Sequence, residues 1–177
     1  MAFIPTASIH EEYTQYVEDG KATLASLGLV VKELEITQCD RTEIAQVLND
    51  CDFIYISGGN TFFLMQELRR TGTDKLLTEQ VEKGKLYIGE SAGAMIAAPN
   101  IEYAKKMDDY VTQTPNFKDF RGLHIVNFYP VVHFKEFPFE EETLAIVQEN
   151  NQLPLKPITN QQAIAVVGDR ISIQSKP

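Results

Sequence analysis

Tryptophan is absent from these 177 residues, cysteine occurs twice and histidine three times. Cys39 and Cys51 are too few for a disulfide framework and are not spaced for zinc, so both read as reduced and structural. His10, His124 and His133 show no metal-ligand spacing, and no metal or other cofactor is expected. Basic residues are scarce too: 16 Lys and Arg against 25 Asp and Glu leave a net charge of −9. The densest basic sites are the pairs Arg69-Arg70 and Lys105-Lys106, which fall short of the basic stripe a nucleic-acid binder carries. No apolar run approaches a membrane span, and no charged-then-apolar leader opens the chain. The expectation is a cytoplasmic protein with neither nucleic acid nor membrane as partner.

What is present is ordinary for a globular chain, with 44% hydrophobic and 23% charged residues. The length suits one domain over residues 1–177. Strand and helix patterns alternate, which predicts an α/β fold built on a mostly parallel sheet. Strands are expected at Ala2–Ile4, Leu29–Leu34, Phe53–Ile56, Lys85–Ile88 and within the apolar run Ile125–Val132. Helices are expected over Glu11–Leu27, Thr42–Asn49, Thr61–Arg70, Asp74–Lys83 and Glu140–Asn150, with another starting near Ala94. A hairpin turning at Gly168-Asp169 is expected within Ala163–Ile173. Residues 100–121 form a polar, aromatic-rich connection, longer than most loops in compact domains.

The chemistry centres on Gly89-Glu90-Ser91-Ala92-Gly93. A Gly-x-Ser-x-Gly turn between a strand and a helix presents a serine on a strained backbone, and small neighbours are needed because larger ones would collide. A serine hydroxyl needs a base to take its proton and a group to orient that base. Among the histidines, His133 follows an apolar strand, where doubly wound sheets place their ligand crevice. For the carboxylate, Asp108, Asp109 and Glu102 lie between serine and histidine in the chain. A second glycine turn, Ser57-Gly58-Gly59-Asn60-Thr61, ends the strand Phe53–Ile56. Its Gly59 amide, with that of Ala92, could cradle an oxyanion; the turn suits a phosphate at the following helix or a purely structural role equally well.

These residues resemble the S51 serine peptidases, a family typified by peptidase E, an aspartyl dipeptidase. The resemblance rests on Phe3-Ile4-Pro5-Thr6-Ala7, Ile56-Ser57-Gly58-Gly59-Asn60-Thr61-Phe62, Leu86-Tyr87-Ile88-Gly89-Glu90-Ser91-Ala92-Gly93-Ala94 and His133-Phe134. The two glycine turns, about thirty residues apart, are far more specific together than singly. The resemblance implies a three-layer, class I glutamine amidotransferase-like (flavodoxin-like) fold, with helices on both faces of the sheet and a nucleophile elbow. It also implies Ser91 as nucleophile, His133 as base, Gly59 and Ala92 as oxyanion-hole amides, and Asp108 as the acid with Asp109 next. The activity implied is hydrolysis of short peptides through an acyl-enzyme. A catalytically silent homologue or small-ligand binding module, and an esterase or amidase of the same fold, are the alternatives.

Two departures from the family pattern carry expectations of their own. Leu144 stands where peptidase E places an arginine for the substrate's aspartyl side chain, so a neutral or basic substrate is expected. Family members also usually carry another strand and helix before the segment equivalent to Ala2–Ile4. A sheet without that strand must leave backbone groups unpaired or recruit a partner, which points toward association, a homodimer being the simplest form.

Overall fold

Ala2, Phe3 and Ile4 point alternately to the two faces of a strand, and none exposes any surface. Both faces of this strand, β1 (Ala2–Ile4), are therefore covered, as the central strand of a three-layer α/β fold requires. The computed structural model describes residues 1–176. Around β1 lies a parallel sheet in the order β2-β1-β3-β4, with β2 at Lys32–Glu33, β3 at Phe53–Ile56 and β4 at Leu86–Gly89. Helices α1 (Gln15–Ser26), α2 (Arg41–Asp50), α3 (Thr61–Thr71), α4 (Thr73–Glu82) and α5 (Ala92–Met95) connect and follow these strands. The core joins Ile4, Ile54 and Ile56 of the sheet to Ile44 and Leu48 of α2, Leu64 and Leu68 of α3, and Leu77 of α4.

Local chemistry explains where these helices begin. Asp40 accepts from the amides of Thr42 and Glu43 while Glu43 reaches back to the Asp40 amide, a capping box that starts α2. Asn60 accepts from the amides of Phe62 and Phe63 and starts α3 directly after the second glycine turn. Gly72, in a left-handed conformation, ends α3 and opens α4.

The rest of the chain forms two smaller sheets. Strand β5 (Tyr129–Val131) pairs in parallel with β6 (Leu155–Pro157), and β7 (Gln162–Val167) forms an antiparallel hairpin with β8 (Arg170–Ser175). Helix α6 (Glu140–Glu149) lies between β5 and β6 in sequence. The loop 100–121 has one 3-10 segment, Glu102–Lys106. It is held by a cluster of Phe62, Tyr110, Phe117 and Phe120, with Lys105 Nζ 3.9 Å from the Phe120 ring centre.

Several boundaries differ from those read in the sequence. The strand expected over Leu29–Leu34 shrinks to two residues, because its partner β1 is three residues long and offers only Ala2 and Phe3 for pairing. The first helix starts at Gln15 rather than Glu11, and its apolar stripe is largely uncovered: Val17 is buried, whereas Tyr13 and Leu27 lie exposed. The helix after Ser91 is a single turn that begins at Ala92. Within Ile125–Val132 only Tyr129–Val131 is strand, and its partner β6, between Pro154 and Pro157, carried too little pattern to be expected. The hairpin forms around Gly168-Asp169 as expected, with strands longer than predicted.

Candidate active site

Strand β4 ends at Gly89, and Ser91 sits at φ 47°, ψ −110°, a region that non-glycine residues avoid. Such a conformation persists only where the surroundings impose it. Here the chain must reverse from strand to helix with no room on either side of the serine. A β-carbon on Gly89 would lie 2.4 Å from Gly93 O, and one on Gly93 would lie 2.3 Å from Ile56 O. Tyr87 contributes from below, its hydroxyl donating to Gly93 O at 2.5 Å. This is the nucleophile elbow read from the sequence.

His133 follows β5 at φ 55°, turned back toward the sheet. Its Nε2 lies 3.0 Å from Ser91 Oγ, and its Nδ1 lies 2.5 Å from Asn160 Oδ1. An amide oxygen only accepts, so Nδ1 carries the proton and the Nε2 lone pair faces the serine hydroxyl. Pairing that continues beyond the ends of β5 and β6 holds this geometry. Ile158 N–H donates to Val131 O, and Phe134 N–H donates to Ile158 O, both at 2.9 Å. The Asn160 loop is closed by Gln162, whose amide donates to Thr159 O and whose Oε1 accepts from the Thr159 amide. The Phe139 ring stacks on the imidazole, 5.4 Å between centres.

The expected acids lie elsewhere in the hydrogen-bond network. Asp108 is half-buried, and its Oδ2 accepts from the Thr61 amide at 2.9 Å rather than from His133. Burial pushes its pKa up to about 6, against the lowering effect of the Thr61 bonds. Beside it Asn60 Nδ2 donates to Asp109 O, so the pair fastens loop 100–121 to the turn that opens α3. The Asp109 carboxylate accepts from the amides of Val111 and Thr112, and Glu102 is engaged by Lys105. None of the three bonds to His133 among the described residues; Asn160 holds that position. A search confined to carboxylates passes over an asparagine, although Asn160 follows the apolar segment that pairs with the strand preceding His133.

The second glycine turn meets Ser91. A β-carbon on Gly58 would stand 3.1 Å from Ser91 Cβ, and Gly59, at φ 130°, packs so closely on Ala7 that a β-carbon there would lie 2.2 Å from Ala7 O. The Gly59 and Ala92 amides are not donors to any protein acceptor among the described residues. Two tyrosines lie around this elbow and were not anticipated. Tyr16 of α1 comes within 3.6 Å of where a Gly58 β-carbon would stand. Its pKa is pushed up to about 12 by burial first and then by Glu11, Glu90 and Asp108. Tyr55 donates to Glu90 Oε2 at 2.8 Å, and burial with that carboxylate raises its pKa.

A cavity of about 860 Å³ opens at Ser91, His133 and Asn160. Its wall carries one carboxylate, Glu90, and one lysine, Lys85, whose ammonium turns away to donate to Leu48 O and Asn49 O. Leu144 is not part of that wall. No group of three His, Cys, Asp or Glu among the described residues could hold a metal ion, and no described helix is long and apolar enough to cross a membrane.

The model of the family described as Peptidase family S51 matches residues 1–174. An uncharacterized peptidase of Listeria monocytogenes is 48% identical over 172 residues, 97% of this chain and 83% of that protein. One from Pasteurella multocida is 48% identical over 167 residues, 94% of this chain and 80% of its own length. Peptidase E of Shewanella amazonensis is 28% identical over 179 residues, covering 97% and 72%. Among solved structures, that of a candidate peptidase E protein from Listeria monocytogenes EGD-e superposes with a TM-score of 0.94 at 47% identity. It spans 99% of this chain and 85% of that one. A peptidase from an acI-B1 Actinobacterium shares the fold, with a TM-score of 0.74 at 23% identity.

Proposed function

Because this chain belongs to peptidase family S51 and is a serine-type peptidase, we propose that it hydrolyses short peptides through an acyl-enzyme on Ser91, with His133 as general base and Asn160 as the group that orients it. The observation that carries the reading is the line Ser91 Oγ, His133 Nε2, His133 Nδ1, Asn160 Oδ1, with separations of 3.0 and 2.5 Å, built onto a strained elbow.

The steps follow from the atoms present. Neutral His133 takes the Ser91 proton at Nε2 as Oγ attacks the peptide carbonyl. Amides of Gly59 and Ala92 donate to the oxyanion that forms. The imidazolium then gives its proton to the leaving amine, and water, deprotonated by His133, hydrolyses the acyl-enzyme. Asp108 has a structural part, holding the loop against the Thr61 amide. With Lys85 engaged elsewhere, the cavity wall offers no free cation to an aspartyl side chain, which supports neutral or basic residues in the substrate.

The test is intact-mass detection of a fluorophosphonate adduct on the native protein. One adduct per chain is expected, lost in Ser91→Ala and after unfolding; its absence from a folded sample would refute the assembled site. A panel of dipeptides and simple esters then reads the substrate. Cleavage of neutral or basic X-Y dipeptides is expected, cleavage of Asp-X alone would overturn the specificity, and hydrolysis of esters alone would make the protein an esterase.

A further inference from the structure

A histidine that takes a proton at Nε2 while Nδ1 keeps its own becomes a cation, and something must stabilise that charge. A carboxylate behind the ring does so in a Ser-His-Asp site. Here the atom at Nδ1 is the neutral amide oxygen of Asn160, and no carboxylate bonds to the imidazole among the described residues. Asp108 acts on the ring only through space, its Oδ2 being taken by the Thr61 amide.

One group does meet the imidazole face to face. The Phe139 ring stacks on it with centres 5.4 Å apart and planes 29° from parallel. A cation within about 6 Å of an aromatic face is attracted by the negative charge of that face. Core packing does not account for this placement: Phe134 packs against the hydrophobic core, whereas Phe139 is not part of that cluster. Phe137, two residues earlier, stands 85% exposed, so the segment does not cover its aromatic rings as a rule.

Backbone bonds put the ring where it is. Glu136 N–H donates to His133 O at 3.0 Å, and Phe139 N–H donates to Glu136 O at 2.7 Å, two successive turns that bring the chain back onto the imidazole. Thr143, with no exposed surface, fastens the far end. Its hydroxyl donates to Phe139 O at 2.8 Å and accepts from the Lys135 amide at 3.1 Å. Within this bracket His133 and Lys135 both hold positive φ, 55° and 58°, which non-glycine residues keep only under constraint. Phe139 enters these bonds through main-chain atoms alone, so its side chain can be exchanged with the bracket in place.

We infer that Phe139 is a positioning residue for His133, whose π face stabilises the imidazolium that the neutral Asn160 leaves uncompensated. The inference rests on the reading of His133 as general base. The proton passes from Ser91 Oγ to His133 Nε2, Nδ1 keeps its proton on Asn160 Oδ1, and the positive charge spreads over a ring that lies on Phe139. Asn160 fixes the tautomer and the rotation of the ring, and Phe139 fixes its plane and answers its charge.

The test is the maximal rate and half-saturating concentration of fluorophosphonate labelling at Ser91 in the full chain. Phe139→Leu should lower the maximal rate roughly 5- to 30-fold at an unchanged half-saturating concentration, and Phe139→Tyr, which keeps the face, should stay within about twofold of wild type. Phe139→Met serves if Phe139→Leu does not fold. The deciding arm is the same change made in Asn160→Asp, where a carboxylate meets the charge: there the loss should shrink to less than about threefold. A ring that acted only as a wedge would cost the same in both backgrounds, and that result overturns the inference. So does a Phe139→Leu protein that labels at the wild-type rate, or one that changes only its half-saturating concentration. A folded wild type that does not label overturns the catalytic reading and this inference together, whereas the other three outcomes leave that reading standing.

Discussion

A neutral acceptor behind a catalytic histidine orients the ring without offsetting the charge the ring gains on taking a proton. Asn160 can do the first for His133 and not the second. Asn160→Ala should lower kcat by roughly 10- to 100-fold with little change in KM, short of the ~10²–10⁴ that loss of a general base costs. Asp108→Asn, which keeps an acceptor for the Thr61 amide, should leave Ser91 labelling within about twofold. Steady-state kinetics and labelling of the two variants check this pair, and the opposite ranking would restore Asp108 as the orienting group. Asp108 should show itself in stability instead. Its folded pKa of about 6 lies above the ordinary carboxylate value of 3.8. The folded state thus binds more protons between those values, and stability falls as pH rises from about 4 to about 6, then levels. The difference in thermal midpoint between wild type and Asp108→Asn isolates this contribution from other carboxylates. It should open in favour of Asp108→Asn across that window and stay constant above it.

The elbow is the element on which the site depends, and its tolerance is narrow. Gly93→Ala places a β-carbon 2.3 Å from the Ile56 carbonyl oxygen, in backbone that cannot move without unpairing β3. The expected cost is about 3 kcal/mol or more, which for a chain of this size lowers the thermal midpoint by roughly 6–12 °C. Calorimetry checks it. This element was readable from the chain because its chemistry is local: strand, glycines, serine and small residues lie within ten positions. The helix start at Thr61 after the second glycine turn and the hairpin at Gly168-Asp169 were legible for the same reason. Asn160 was not, because its pairing with His133 spans 27 residues and depends on β6, a three-residue strand that follows Pro154, ends in Pro157 and shows neither period. Nor was the docking of Asp108, whose place is set by an aromatic cluster assembled from α3 and loop 100–121. Residue type proposed an acid beside the histidine, and tertiary packing placed that acid at a helix start.

At the scale of the whole molecule, the side chains of the proposed site come from separate bodies of β structure. Ser91 is held by the sheet β2-β1-β3-β4, while His133 and Asn160 leave the ends of β5 and β6, and no strand hydrogen bonds join the two sheets among the described residues. Backbone pairing within each sheet can survive a small slide between them, whereas a hydrogen bond of 3.0 Å cannot. Nucleophilicity at Ser91 is thus a vernier on the alignment of the two sheets. On gradual heating, fluorophosphonate incorporation should fade several degrees before far-ultraviolet circular dichroism records any loss of helix or strand. Coincident midpoints would mean that the sheets part only when each of them melts.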